Sequence, residues 1–345
     1  MDRRPYGPFE RQWPSDGQPT ALMVVAGVLV IGAGLLAGFL FKPFSWQEAA
    51  APAPSRVSGL VYPATLELEL EQPADDDWLL PTAATTAGGL TYVLDAGHGR
   101  VLGLDGSGAV TYDSSAAVDM DQPLAIATDG SRLFVADSLA GEVLVLDSAG
   151  RLEKTVRLPA AVGAEKPVRP IGVAVAAVGR ILVSDAANHR VLFLDAEGTL
   201  LKAAGAGMRA AGSEGFNVPG ALTTDAQGNV YVVDTLNGRV VKLSAEGAFI
   251  RDFGRLGGTA GTLSRPKGVA VDDSGRVFVS DGLQAAVEVF AADGTYLGLI
   301  GRRDPQDASS ESVFQAPGGL ALAEGRLVVA DRFAGLLAFD VTENP

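Results

Sequence analysis

One pattern recurs six times along this chain and restricts its fold more than any other feature. An apolar, β-branched run ending in aspartate appears as TYVLD at Asp95, LFVAD at Asp137, ILVSD at Asp185, VYVVD at Asp234, VFVSD at Asp281 and LVVAD at Asp331. The steps between these aspartates are 42, 48, 49, 47 and 50 residues. A proline opens each unit, at Pro81, Pro123, Pro170, Pro219, Pro266 and Pro317. Two independent markers with matching spacing define a repeat array whose period suits propeller blades. In the fifth unit, Gly268–Asp272, Arg276–Ser280, Val287–Phe290 and Thr295–Ile300 read as short strands, separated by turns such as Asp273-Ser274-Gly275 and Ala292-Asp293-Gly294. Period-two alternation of β-branched residues marks strands with two unlike faces. Glycine provides the positive φ that the tight turns require. One four-stranded sheet cannot bury both its faces alone, whereas six stacked around an axis can. The expected fold class is all-β, a six-bladed β-propeller over residues 65–345.

Closure of such a ring needs one more strand. The sixth unit stops after Phe339-Asp340-Val341 with three strands, and an open sheet edge must be covered. Thr65–Glu71 (TLELELE) alternates but belongs to no unit of its own. It is expected to close the sixth blade as its outer strand, with Leu66, Leu68 and Leu70 inward and Glu67, Glu69 and Glu71 toward solvent.

The N-terminal part is of another kind. Residues 21–41 (ALMVVAGVLVIGAGLLAGFLF) contain no charged side chain. At ~1.5 Å per residue a helix of that length spans roughly 31 Å, about the hydrocarbon thickness of a bilayer. Phe41, Phe44 and Trp46, with Lys42, stand where an interfacial belt would lie. The expected organisation is a tail over 1–20, a single transmembrane helix over 21–41, a linker over 42–64 and the propeller beyond. A cleavable signal peptide is the alternative, but the apolar stretch is long for one, and the candidate cleavage site at Ala49–Ala51 lies some way past it. Arg3, Arg4 and Arg11 precede the span, and Lys42 and Arg56 follow it, a small positive-inside bias. It favours a cytoplasmic N-terminus and an exported propeller, hence a single-pass protein of a bacterial cytoplasmic membrane with its propeller on the periplasmic side. Gly34 and Gly38 form a GxxxG pair that could bring two helices together as a homodimer.

Composition then narrows function. There is no cysteine, which removes disulfides, thiolate metal sites and a lipoprotein anchor. Two histidines cannot supply a three-His zinc site. The formal charge is −14, and the first 56 residues hold five basic and four acidic side chains, so the acidity belongs to the propeller. An acidic domain is a poor partner for nucleic acid. The 43 glycines are accounted for by hairpins repeated from blade to blade. There is no Gly-x-Ser-x-Gly elbow, P-loop or paired-histidine zincin motif. Asp129-Gly130, Asp225-Ala226-Gln227-Gly228 and Asp272-Asp273-Ser274-Gly275 lack full calcium-loop spacing and read as hairpin turns. No metal and no cofactor is called for.

The stretch Phe253–Asp281 (FGRLGGTAGTLSRPKGVAVDDSGRVFVSD) resembles the NHL repeat family of β-propellers. Asp185-Ala186-Ala187-Asn188-His189-Arg190-Val191 nearly repeats the motif that names the family, with Val191 in place of its leucine, and Asp234–Val240 (DTLNGRV) is a second match. The resemblance covers about residues 57–345 and implies a six-bladed ring. His189 is the family's own motif residue. Some relatives with amidating-lyase activity place several histidines around a channel metal, a pattern that His98 and His189 do not reproduce.

Two sets of candidates follow. The repeat aspartates Asp95, Asp137, Asp185, Asp234, Asp281 and Asp331 are expected to be structural, capping the turn after the second strand. Arg190 and Arg239, like Arg100, stand five positions on to pair with them. The second set surrounds the channel mouth, where each innermost strand begins: Arg169, Asn217, Arg265, Lys267 and Arg302. A basic spot on an acidic domain would bind an anionic ligand or an acidic partner. The expected function is a membrane-anchored, extracytoplasmic propeller that scaffolds proteins or binds a ligand, partnered by another membrane or exported protein. The alternative is a lactonase-like or amidating-lyase-like propeller holding a divalent metal on channel carboxylates.

Overall fold

Each apolar run that ends in aspartate is the second strand of a four-stranded antiparallel sheet, and there are six such sheets. The computed structural model describes residues 62–70, 80–114, 118–160, 166–176, 179–213, 215–301 and 310–342, all within the unit Pro52–Pro345. The segment 21–41, the tail before it and the linker to residue 61 lie outside the described residues, as does Arg302. No helix among the described residues is long and apolar enough to cross a membrane.

A leading strand, β1 (Thr65–Leu70), precedes the first blade, β2 (Pro81–Ala87), β3 (Leu90–Asp95), β4 (Arg100–Leu104) and β5 (Val110–Asp113). The second holds β6 (Pro123–Thr128), β7 (Leu133–Asp137), β8 (Glu142–Leu146) and β9 (Leu152–Arg157). The third holds β10 (Pro170–Val175), β11 (Ile181–Asp185), β12 (Arg190–Leu194) and β13 (Leu200–Ala204). The fourth holds β14 (Pro219–Thr224), β15 (Val230–Asp234), β16 (Arg239–Leu243) and β17 (Phe249–Phe253). The fifth holds β18 (Pro266–Val271), β19 (Val277–Asp281), β20 (Ala286–Phe290) and β21 (Tyr296–Ile300), and the sixth β22 (Pro317–Ala323), β23 (Arg326–Asp331) and β24 (Gly335–Asp340). The innermost strands β2, β6, β10, β14, β18 and β22 touch one another in a closed ring.

The core is divided as this geometry requires. One apolar cluster fills each of the six interfaces between blades; Val173, Val183, Leu192 and Leu194 of the third blade, for example, meet Phe134, Val143, Val145 and Val156 of the second. The middle strands of the third and fifth blades, β11, β12, β19 and β20, are buried along their whole length because both their faces lie in such interfaces. Hairpin loops of the form Asp-x-x-Gly-x end the strands on one side. In Asp195–Thr199 the Asp195 carboxylate accepts the N–H groups of Glu197 and Thr199, and Gly198 takes φ +91°. A Cβ on Gly198 would lie 2.4 Å from Val156 Cγ1, so glycine is required there twice over.

β1 pairs with β24, Thr65 opposite Asp340 and Leu70 opposite Leu336, giving the sixth sheet the order β1-β24-β23-β22. The expected burial of Leu66 is corrected: this residue is 38% exposed. A bulge between Leu66 and Leu68 breaks the alternation on which that expectation rested. Just before the strand, Tyr62 is buried between the fifth and sixth blades, edge-on to Phe278, with its hydroxyl bonded to Arg276.

Candidate functional site

Register fixes which loops share a face. Pro266 stands opposite Asp281, and Asp281 opposite Ala286, so the loop entering an innermost strand and the loop after the second strand emerge side by side. The same pairing holds in the other blades, for instance Pro170 with Asp185 and Asp185 with Arg190. We call this end the proline face; the Asp-x-x-Gly hairpins make the opposite face.

All six repeat aspartates are buried. Their carboxylates accept backbone N–H groups from the residues just before the proline: Leu80 for Asp95, Asp121 and Gln122 for Asp137, Arg169 for Asp185, Asn217 for Asp234, Ser264 and Arg265 for Asp281, and Gln315 and Ala316 for Asp331. Arg190 Nε donates to Asp185 at 3.0 Å, Arg239 Nε to Asp234 at 2.8 Å and Arg100 Nε to Asp95 at 3.2 Å. Arg239 also donates to the carbonyls of Gly212 and Gly215, tying down the long loop before β14. In the other blades Glu142, Ala286 and Leu336 hold the arginine position, and the carboxylates draw more on backbone N–H donors, such as Leu283 and Gln284 for Asp281. These bonds hold the loops of the proline face in place.

Four residues beyond each aspartate the backbone is left-handed: Gly99, Gly141, His189, Gly238, Ala285 and Gly335 all have positive φ. His189 therefore occupies a place that favours glycine. Its Nδ1 accepts the N–H of Val218 from the next blade at 3.1 Å, which requires that nitrogen to be unprotonated. Desolvation first, then Arg209 and Lys166, hold the imidazole pKa below its usual value, in the same direction. Val218 itself has φ +61°, an uncommon conformation for a β-branched residue, beside the channel mouth. His98, one position earlier in its loop, bonds to Asp95 at 2.7 Å instead. The two histidines thus serve different local contacts.

The innermost strands read PTAATTA, PLAIAT, PIGVAV, PGALTT, PKGVAV and PGGLALA, and Lys267 is their single ionisable side chain. The residues at its position in the neighbouring blades are Gly220 and Gly318, which leave room beside it. Lys267 is solvent-exposed, yet desolvation, and then Arg265 two residues away, hold its amine below the usual lysine range. Arg169 and Arg265 are exposed on the same face, before β10 and β18. Asn217 is half-buried before β14, and its Oδ1 is buried with no hydrogen-bond donor among the described residues. These four share the proline face, distributed over three blades.

The opposite face offers carboxylates already engaged in their own hairpins. Asp129 accepts from the N–H groups of Ser131 and Arg132, Asp225 from Gln227 and Asn229, and Asp272 from Arg276 and the Ser274 hydroxyl. No three His, Asp or Glu side chains among the described residues gather in a metal-binding group.

Two features of the proline face escape a residue-by-residue reading of the sequence. Its cations Lys166, Arg169, Arg209, Arg255, Arg265 and Lys267 have no ion-pair partner among the described residues, whereas Arg132, Arg151 and Arg276 of the opposite face pair with an aspartate of their own hairpin. Large apolar side chains also project from it, at the second position after the repeat aspartate: Leu139, Leu236, Leu283 and Phe333. Aligning the repeats on that aspartate would have exposed this column.

The fold and its loops define a six-bladed all-β propeller. No family model matches the chain, and no curated protein matches it. Solved structures do. A streptogramin B lyase superposes with a TM-score of 0.56 at 13% identity, over 80% of this chain and 97% of that one. A gluconolactonase from Xanthomonas campestris gives 0.55 at 18% identity, over 82% and 96%. A protein of unknown function from Bacteroides thetaiotaomicron gives 0.61 at 14% identity, over 79% and 72%. At these identities the likeness carries the fold alone.

Proposed function

We propose that this chain is a membrane-anchored, NHL-type propeller that works outside the cytoplasm as a binding scaffold, taking an anionic ligand or partner on its proline face. The observation that carries this reading is Lys267, an unpaired cation on an otherwise uncharged ring of innermost strands, with Arg265 beside it and glycine on both flanks. Rigid blades support the loops, and fold by itself assigns no ligand. The lactonase-like or lyase-like alternative requires channel carboxylates to hold its metal, and the innermost strands contain none. Metal analysis of the purified chain, with melting in the presence and absence of EDTA, tests that alternative: a stoichiometric ion whose removal lowers the Tm would restore it. The scaffold reading is tested by crosslinking in native membranes with the wild type and the Arg265→Ala/Lys267→Ala variant. A ligand or partner captured by the wild type and lost from a variant of equal Tm supports it. Equal capture by both overturns it.

A further inference from the structure

The proline face carries unpaired cations and projecting apolar groups together, and they are interleaved. Met208 precedes Arg209, Arg255 precedes Leu256, Arg332 precedes Phe333, and Leu283 follows Gly282, whose N–H is bonded to the Arg265 carbonyl. Leu139 and Leu283 are each 70% exposed, and Leu236, Leu256, Met208 and Phe333 are more than half exposed. The Arg332 guanidinium lies over the Phe333 ring at 5.3 Å. The remaining exposed large apolar residues, such as Val110, Leu201 and Ile250, are scattered along outer strands, and among the described residues the hairpins of the opposite face have none.

These side chains are not loosely held. Leu283 and Phe333 donate their N–H groups to the buried Asp281 and Asp331, and Leu236 donates to the Asn217 carbonyl. The loops bearing Arg209 and Leu256 are closed by bridges to the buried Phe216 and Leu263. The frame thus points apolar groups into water, where they contribute nothing to the core. Glu311 is an exposed carboxylate on this face, as are Asp119 and Asp121 nearer the first blade. The opposite face is the acidic one, with Asp105, Asp195, Glu197, Glu246 and Asp293 in its hairpins and Asp340 at the end of β24.

Leucine, methionine and phenylalanine interleaved with arginine and lysine form the composition that settles into the boundary between acyl chains and anionic head groups. The chain also has an apolar run over 21–41, joined to Tyr62 by 20 residues that can extend to at most about 70 Å. The leading strand begins at the hairpin end, where Thr65 pairs with Asp340, and a reach of that length exceeds the roughly 20 Å of a six-residue strand, so a bilayer holding that run is within reach of the proline face. We infer that the proline face docks on an anionic lipid surface through Leu236, Leu256, Leu283 and Phe333, with Arg255, Arg265 and Arg332 on the head groups. This inference rests on the anchored, anion-binding reading above and names its ligand. Charge separation between the two faces orients the domain, because the acidic hairpins are repelled from the surface that attracts the cations.

The cysteine-free sequence makes the test direct. The full chain is reconstituted into vesicles of phosphatidylcholine with 30% phosphatidylglycerol, part of the lipid carrying a nitroxide quencher. A fluorophore is attached to Leu283→Cys on the proline face or to Ala196→Cys on the opposite face. We expect quenching at Leu283→Cys at least threefold that at Ala196→Cys. It should fall at least twofold in pure phosphatidylcholine, and likewise in the background Arg255→Glu/Arg332→Glu. Co-flotation of protein and vesicles with equal, weak quenching at both positions would overturn the docking and leave the anchor standing. Failure to co-float would overturn both. Short label-to-label distances between Leu283→Cys copies, without quenching, would overturn lipid docking in favour of a second copy of the chain on this face.

Discussion

Replacing Asp281 by alanine removes the acceptor that holds two loops of the proline face together. The carboxylate is fully buried and accepts four backbone N–H groups, from Ser264 at 2.6 Å and from Arg265, Leu283 and Gln284 at 3.0 Å each. Gln284 Nε2 is a fifth donor at 3.3 Å. A buried donor left without an acceptor costs ~1–3 kcal/mol. Water reaches part of these loops, so four lost backbone bonds correspond to a total of about 3–5 kcal/mol. For a domain of this size that lowers the Tm by about 5–9 °C. The measurement is circular dichroism melting of the full chain in detergent micelles at one scan rate, since large proteins often unfold irreversibly. Asp281→Asn keeps one acceptor oxygen and should lose roughly half as much. Lys267→Ala, which removes an exposed, unpaired group, should stay within about 0.5 kcal/mol of the wild type. An Asp281→Ala variant within about 1 kcal/mol of the wild type would refute the view that these buried aspartates hold the loops.

Tyr62→Ala should lower stability by about 3–5 kcal/mol, because a fully buried aromatic between the last two blades is lost together with its bond to Arg276; chemical denaturation of the full chain reads this out. Gly198→Ala should cost about 1–3 kcal/mol in the same assay, since the new Cβ meets Val156 and the residue keeps φ +91°. His189→Gly should change the Tm little, because relief of the left-handed backbone offsets loss of the bond to Val218 N; a large drop would show that this bond outweighs the strain. Acid should also destabilise the ring. Burial opposes ionisation of Asp129, but the N–H groups of Ser131 and Arg132, with the Arg132 side chain, hold its pKa down to about 2. A depressed carboxylate stabilises above its unfolded value near 4 and loses that contribution as pH falls toward about 2. The Tm should therefore drop across that window, and less steeply in Asp129→Asn.

The six blades were legible because proline and aspartate recur with matching steps and the middle strands are apolar on both faces. That pattern follows from burial in two interfaces at once, as Val183 and Leu182 show: each contacts a different neighbouring blade. The orientation of Leu66 was not legible, since alternation predicts it only where no bulge intervenes, and nothing in TLELEL announces one. Nor was the unpaired state of the surface cations. Arg132, Arg151 and Arg276 have an aspartate three or four residues earlier, so their pairing is a local property of DGSR, DSAGR and DDSGR. The solitude of Arg209, Arg255 and Lys267 depends on what other blades bring near, which only the closed ring decides.

The repeat itself separates positions the frame dictates from those it leaves open. Four residues after the aspartate the backbone must be left-handed in every blade, and four glycines, one histidine and one alanine answer that single demand. At the aspartate a buried acceptor is needed for N–H groups on two loops, and no blade departs from it. Two residues after the aspartate the side chain points to solvent, and folding asks nothing of it: Gly97, Leu139, Ala187, Leu236, Leu283 and Phe333 stand there. The position after the proline varies as widely, with Thr82, Leu124, Ile171, Gly220, Lys267 and Gly318, and of these Lys267 alone is exposed. Exposed leucine and phenylalanine in the first column and an isolated lysine in the second add nothing to blade packing. Their physical consequence lies outside the ring, in whatever apolar and anionic surface meets the proline face.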